Sequence, residues 1–251
     1  MKKLTGQQKH RLHVLRQEKC KFDPTRPMPA IHSCGSWNTW LKTRNDKRLF
    51  VPLLFSVITL PAAGQPVSGV VYLEGPRPKR TPIALTPESR KLYDKHPLSE
   101  VKLVSARGEV QNVFVYVKKG LPVGKSFPAP QKGALVNQKK SMFRPRVQGI
   151  LIGQEVSMRN SDPVIHNVRS LSSKNRPFNI GQPAGTPDRR KVFKDKEGPI
   201  ELRCDFHPWM RAYLFVMEHP CFAVTDAEGR FAINGLVAGN YTLAIWHEAF
   251  G

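Results

Sequence analysis

The run Ile200 to Met217, IELRCDFHPWMRAYLFVM, is two strand-like segments joined by a loop that carries a thiol, an imidazole and a thioether. Ile200 to Arg203 and Ala212 to Met217 are short and rich in aliphatic and aromatic residues, and both read as strands. Between them Cys204, His207 and Met210 follow a C-x2-H-x2-M spacing. Ligands this soft hold copper in both oxidation states. A blue-copper centre takes two His and one Cys in a trigonal plane with a weak axial Met, so one more imidazole has to come from elsewhere. His166, in Asn160-Ser-Asp-Pro-Val-Ile-His166-Asn167 at the end of another strand, supplies it. A thiolate bound in this way is deprotonated by the metal and enclosed by its loop. In an oxidising compartment a disulfide to Cys221 is the competing use of Cys204, although it leaves His207 and Met210 unexplained.

Outward from this loop the punctuation is that of an all-β protein. Val67 to Leu73, Val110 to Val117, Val147 to Ile152 and Glu155 to Arg159 read as strands on one side, and Phe222 to Thr225, Phe231 to Ile233 and Tyr241 to Trp246 on the other. Gly and Pro break these runs, and short strands so separated favour a sandwich or Greek-key barrel. Pro87 to His96 is polar with Pro at its start and suits a short helix or turn. Leu171 to Lys196 lacks apolar periodicity and carries Pro177, Gly181, Pro183, Gly185 and Pro187, so it reads as a surface excursion between two core strands.

These motifs resemble those of cupredoxins, the small blue-copper electron carriers, with the short ligand-loop spacing typical of amicyanin. The resemblance extends to bacterial plastocyanin-like proteins described as methylamine-utilisation-like or carboxypeptidase-regulatory-like. It is carried by Gly153 to Val168, Cys204 to Tyr213, His219 to Phe231 and Tyr241 to Glu248, in that order. It implies a type 1 copper on His166, Cys204, His207 and Met210. It also implies that Asn167 ties the first-ligand loop to the Cys loop, and that electrons leave by a solvent-facing His207 edge flanked by Pro208 and Trp209. Phe178 and Asn179 match a recurrent Phe-Asn to which no role attaches. The relatives often carry one Cys in the segment matching Gln138 to Pro145 and another near Arg90 to His96; this chain has Ser141 and no Cys there, and Arg146 where His is common.

The resemblance divides the chain into N-terminal regulatory-like strands over 65–126, a cupredoxin domain over 127–218 and a regulatory-like sandwich segment over 219–251. In that segment TDxxGxF suits a hairpin and GxYTL a returning strand. The copper domain then sits within a discontinuous carboxypeptidase-regulatory or transthyretin-like sandwich whose C-terminal strand is truncated. Upstream, LFVPLLFSVITLPAAG over 49–64 follows a basic stretch and ends in small residues, the pattern of a signal peptide (41–64) cleaved before Gln65. Residues 1–40 read as a leader outside the functional protein, since the basic stretch before a signal's apolar run is normally only a handful of residues long; Cys20 and Cys34 with His10, His13 and His32 match no zinc spacing.

The chain of 251 residues has a net charge of +21. Twelve Lys/Arg and three Asp/Glu lie before Leu49, which leaves 28 basic against 16 acidic residues from Gln65 on, a net of +12. An excess of that size in an exported protein steers an acidic redox partner, a cytochrome or quinoprotein, rather than nucleic acid. No CxxCH, P-loop or GxSxG is present, and no catalytic residue is assigned. The sequence therefore points to an exported, periplasmic or cell-envelope carrier of single electrons without enzymatic activity. The alternative is a copper-sequestering or purely structural envelope module.

Overall fold

The computed structural model describes residues 11–16 and 66–251. In chain order these form β1 (Arg11–Arg16), β2 (Val67–Glu74), the one-turn helix α1 (Pro87–Arg90), β3 (Phe114–Lys119), β4 (Ala134–Gln138) and β5 (Phe143–Arg144). Next come β6 (Val147–Leu151), β7 (Glu155–Asn160), β8 (His166–Ser170), β9 (Asn179–Gln182) and β10 (Arg189–Val192). The last are β11 (Glu197–Arg203), β12 (Arg211–Met217), β13 (Phe222–Val224), β14 (Arg230–Ile233) and β15 (Thr242–Trp246). The protein is all-β, and no described helix is long and apolar enough to cross a membrane.

The strands make four sheets, ordered β10-β7-β4-β5, β6-β12-β11-β8-β9, β13-β3-β15 and β1-β2-β14. Strand β12 shows why they stack. Successive side chains on a strand point to opposite faces, and β12 is buried on both. Ala212, Leu214 and Val216 enter one core with Val136, Phe143, Val156, Met158, Ile200 and Leu202. Tyr213, Phe215 and Met217 enter another with Phe114, Val147 and Leu151. The first core fills the sandwich of the four- and five-stranded sheets. The second joins the five-stranded sheet to β13-β3-β15, where a Cβ on Gly149 would lie 2.3 Å from the Phe222 ring. A third core, built on Val71, Leu73, Val113, Val115, Val117, Phe231 and Ile233, fills the sandwich of the two three-stranded sheets. That second sandwich draws strands from both ends of the described chain, since β3 pairs with β13 and β15, and β2 with β14.

Several elements differ from the sequence expectation. The polar stretch 171–196 contributes β9 and β10, which are edge strands of two different sheets. An edge strand needs little apolar periodicity because one side and one face meet solvent, and all four residues of β10 are exposed. In β4 the buried face is Ala134, Val136 and Gln138, so a polar residue at a core position hides the alternation. Within the expected leader, Arg11–Arg16 pairs antiparallel with β2 over six residues, and Leu12 packs against the third core. The segment 49–64, Cys20, Cys34, His10 and His32 lie outside the described residues, as does the side chain of His13. Helix α1 is a single turn, capped by Thr86, whose Oγ1 accepts from Ser89 N at 3.3 Å.

Candidate metal centre

Two loops meet at one end of the first core. One is the β7–β8 connection, Ser161 to Ile165, which delivers His166 as the first residue of β8. Its shape is set by Asn160, whose Nδ2 donates to the carbonyls of Val164 at 2.9 Å and Gln182 at 2.8 Å while its Oδ1 accepts from Asp162 N at 3.0 Å. The other is the β11–β12 connection, Cys204 to Met210. It closes on itself, with Cys204 N donating to Met210 O at 3.2 Å and Met210 N to His207 O at 2.9 Å.

The ligand atoms of His166, Cys204 and His207 all lie within 4.8 Å of one another, and all three residues are buried. His166 Nδ1 stands 3.0 Å from His207 Nδ1, and Cys204 Sγ stands 3.5 Å from His207 Nδ1. With metal–nitrogen and metal–sulfur bonds of about 2.0 and 2.3 Å, a trigonal set of two nitrogens and one sulfur has edges of about 3.5 Å between nitrogens and about 3.8 Å from nitrogen to sulfur. The His166–His207 and Cys204–His207 spacings fall within about half an ångström of those edges, and the cluster is compact enough to close around a small metal ion. Met210 is fully buried in the same core cluster as Cys204. Copper is the metal that a thiolate, two imidazoles and a nearby thioether suit best.

The electrostatics favour an ionised thiol. Burial pushes the Cys204 pKa up, but hydrogen bonds from His166 and His207 and from the amides of Asn167 and Phe206 outweigh it, and the value falls to about 6. Burial likewise opposes charge on His166, yet Asp162 and Cys204 beside it raise its pKa. Both remaining cysteines of the described chain are free thiols, and they sit in different cores. The competing disulfide is therefore not formed.

Asn167 bridges the two loops. Its Oδ1 accepts from Asp205 N at 2.6 Å, and its Nδ2 donates to Asp205 Oδ2 at 2.9 Å and to Asn179 Oδ1 at 2.6 Å. Asn179 Nδ2 donates to Asp205 Oδ2 at 2.9 Å, which gives the Phe-Asn pair of the sequence a place in the site. Phe178 packs against the first core. Pro208 is exposed and Trp209 half-buried, with its ring centroid 5.2 Å from that of His207. His207 itself is only 5% exposed, whereas the apolar Phe206 that precedes it and the apolar Ile165 that precedes His166 are both exposed.

Sequence reasoning missed the outer partners. Asp162 accepts from Lys140 N at 2.6 Å and Ser141 N at 2.7 Å and stands 2.8 Å from His166 Nε2. Trp209 Nε1 donates to Ser141 O at 3.0 Å. The only sequence signal for these was the carboxylate four residues before His166.

No protein-family model and no curated protein matches the chain. Among solved structures it is similar to the copper-containing nitrite reductase NirK from Thermus scotoductus SA-01, at 22% identity and a TM-score of 0.33 over 40% of this chain and 26% of that one. It thus spans about a quarter of that reductase. A purple cupredoxin from Nitrosopumilus maritimus matches at 25% identity and a TM-score of 0.29, over 34% of this chain and 99% of that one. A mutant of amicyanin in its Cu(I) form matches at 19% identity and a TM-score of 0.30, over 40% of this chain and 100% of that one.

Proposed function

We propose that this chain is an exported type 1 copper protein of the cupredoxin kind, carrying single electrons between redox partners, in which His166, Cys204, His207 and Met210 would hold the copper. The observation that carries this reading is the convergence of two imidazole nitrogens and one thiol sulfur within 4.8 Å in a buried pocket. Copper held there supplies a one-electron couple. The protein's part is to keep the donors still. The Asn167, Asn179 and Asp205 bridge locks one ligand loop to the other, and the Cys204 and Met210 backbone bond fixes the second loop. A brace of this kind limits ligand movement when charge changes.

Burial of His166, Cys204 and His207 keeps water off the thiolate. Pro208 and Trp209, which follow His207 in the chain, would be the surface through which the electron leaves, with exposed Phe206 on the other side of His207 in sequence. The net of +12 from Gln65 on draws an acidic partner by long-range attraction that added salt weakens. The reading is of a carrier rather than an enzyme, acting in the periplasm or cell envelope.

The test is Cu(II) titration of the purified chain followed by visible spectroscopy, beside Cys204→Ser. An intense thiolate-to-copper band that saturates at one equivalent and is absent from the variant supports the carrier. A chain that binds Cu(I) and never forms a coloured Cu(II) species is a sequestering protein, and one that binds neither ion is a structural module.

A further inference from the structure

The turn between β4 and β5 is built from residues that rarely make it. Lys140 has φ 53° and Ser141 φ 48°, two consecutive left-handed residues without a glycine, in a two-residue turn closed by Lys139 N to Met142 O at 2.9 Å. Such a turn favours Asn-Gly, and each non-glycine residue held there costs on the order of 1 kcal/mol or more. What holds it is Asp162. One carboxylate oxygen takes Lys140 N at 2.6 Å and the other takes Ser141 N at 2.7 Å. From the opposite side Trp209, two residues past His207, anchors the turn through Ser141 O.

A carboxylate clamped between two amides is acceptor only. Its Oδ2 is also 2.8 Å from His166 Nε2, so that nitrogen carries the proton and donates it to the carboxylate. His166 Nδ1, 3.0 Å from His207 Nδ1, is thereby the nitrogen turned towards the ligand cluster and the one open to a metal. We propose that Asp162, set by the Lys140-Ser141 turn, is the positioning residue of the metal centre, fixing the tautomer and ring orientation of His166; this rests on the copper reading above. Asp162 is 6% exposed and His166 fully buried, so no water competes for either end of the contact. An ionised carboxylate behind the imidazole raises its basicity and favours Cu(II) over Cu(I).

The experiment uses the full chain in a Lys140→Gly background, which relieves the turn so that folding does not hang on the carboxylate, with and without Asp162→Ala. In the metal-free parent, His166 should show a hydrogen-bonded, slowly exchanging Nε2 proton by ¹⁵N-resolved NMR. Asp162→Ala should lose that resonance, bind Cu(II) about 10- to 100-fold more weakly, shift the thiolate-to-copper band and raise the reduction potential. Asp162→Asn, which keeps an acceptor, should recover part of the affinity. A parent whose His166 Nε2 carries no hydrogen-bonded proton, or a folded Asp162→Ala chain with unchanged affinity and potential, overturns the proposal while leaving the copper reading intact. A parent that binds no copper overturns both.

Discussion

Ser89 and Ser141 invite a covalent test of the scaffold under the metal centre. Both are fully buried, and their Oγ atoms are 2.8 Å apart across 52 residues of sequence. Oxygens this close bring the two Cβ atoms near the separation of about 3.5–4.5 Å that a disulfide spans. The contact joins α1 to the β4–β5 turn. Ser89→Cys with Ser141→Cys should form the bond under oxidised glutathione. Closing a loop of 52 residues removes denatured-state entropy corresponding to about 4 kcal/mol at 25 °C. Against this, the exchange loses the hydroxyl bond between the serines and that from Thr86 Oγ1 to Ser89 Oγ, each contributing about 1 kcal/mol. The oxidised double variant should therefore exceed the wild type by about 2 kcal/mol. It should exceed its own reduced form by about 4 kcal/mol, a rise in Tm of about 8–16 °C for a chain of this size. Digestion and mass spectrometry identify the linked peptide, and circular-dichroism melts with and without reductant give the shift. A double variant that stays reduced, or one whose oxidised and reduced forms melt within about 2 °C of each other, refutes the reasoning.

The C-terminal segment supplies two more predictions. Arg146 and Glu248, with side chains 4% exposed each, form a bidentate ion pair that Nε and Nη2 both donate to. Glu248→Gln leaves a buried guanidinium without its counter-ion and should cost about 3–5 kcal/mol in urea denaturation; a loss below about 1 kcal/mol would mean the pair is solvated. His247 is 1% exposed, and burial, aided by the Arg146 charge, pushes its pKa from 6.5 down to about 4. Below its ordinary pKa the unfolded chain takes up a proton that the folded chain refuses. The stabilising contribution is therefore complete above pH 6.5 and is lost as pH falls towards 4, by about 3 kcal/mol in all. Denaturation from pH 7 to 4 should show a steeper loss for wild type than for His247→Phe, and parallel curves would rule the mechanism out.

The strands that carry the centre were legible because Ile200 and Leu202 alternate with polar residues in β11, β12 is a short unbroken apolar run, and the ligand residues stand at fixed spacings between them. His166 was legible by chemistry, since a thiolate, one imidazole and a thioether lack a second imidazole. The supporting groups were not. Asp162, Lys140 and Ser141 act through backbone amides, and backbone donors leave no residue-type signature. Gln138 faces a core from a polar side chain, so β4 gave no period. Strands β9 and β10 lie at sheet edges, where solvent rather than a core sets the composition. Arg146 stood out as a departure, yet its partner is 102 residues away, a distance that only the folded chain closes.

The pairing of β3 with β13 and β15 sets an order of assembly during synthesis. Strands β1, β2 and β3 leave the ribosome first, but β13, β14 and β15, which complete their sheets, follow only after the whole 134–217 stretch. Domains generally fold as units as they emerge. The sandwich of the four- and five-stranded sheets, with a core of its own, can therefore close while its neighbour waits. Once closed, it holds the two ends of the interruption near each other, so the long connection costs little further entropy when the late strands dock. A defect in the inner sandwich would thus strand the outer one with its edges open.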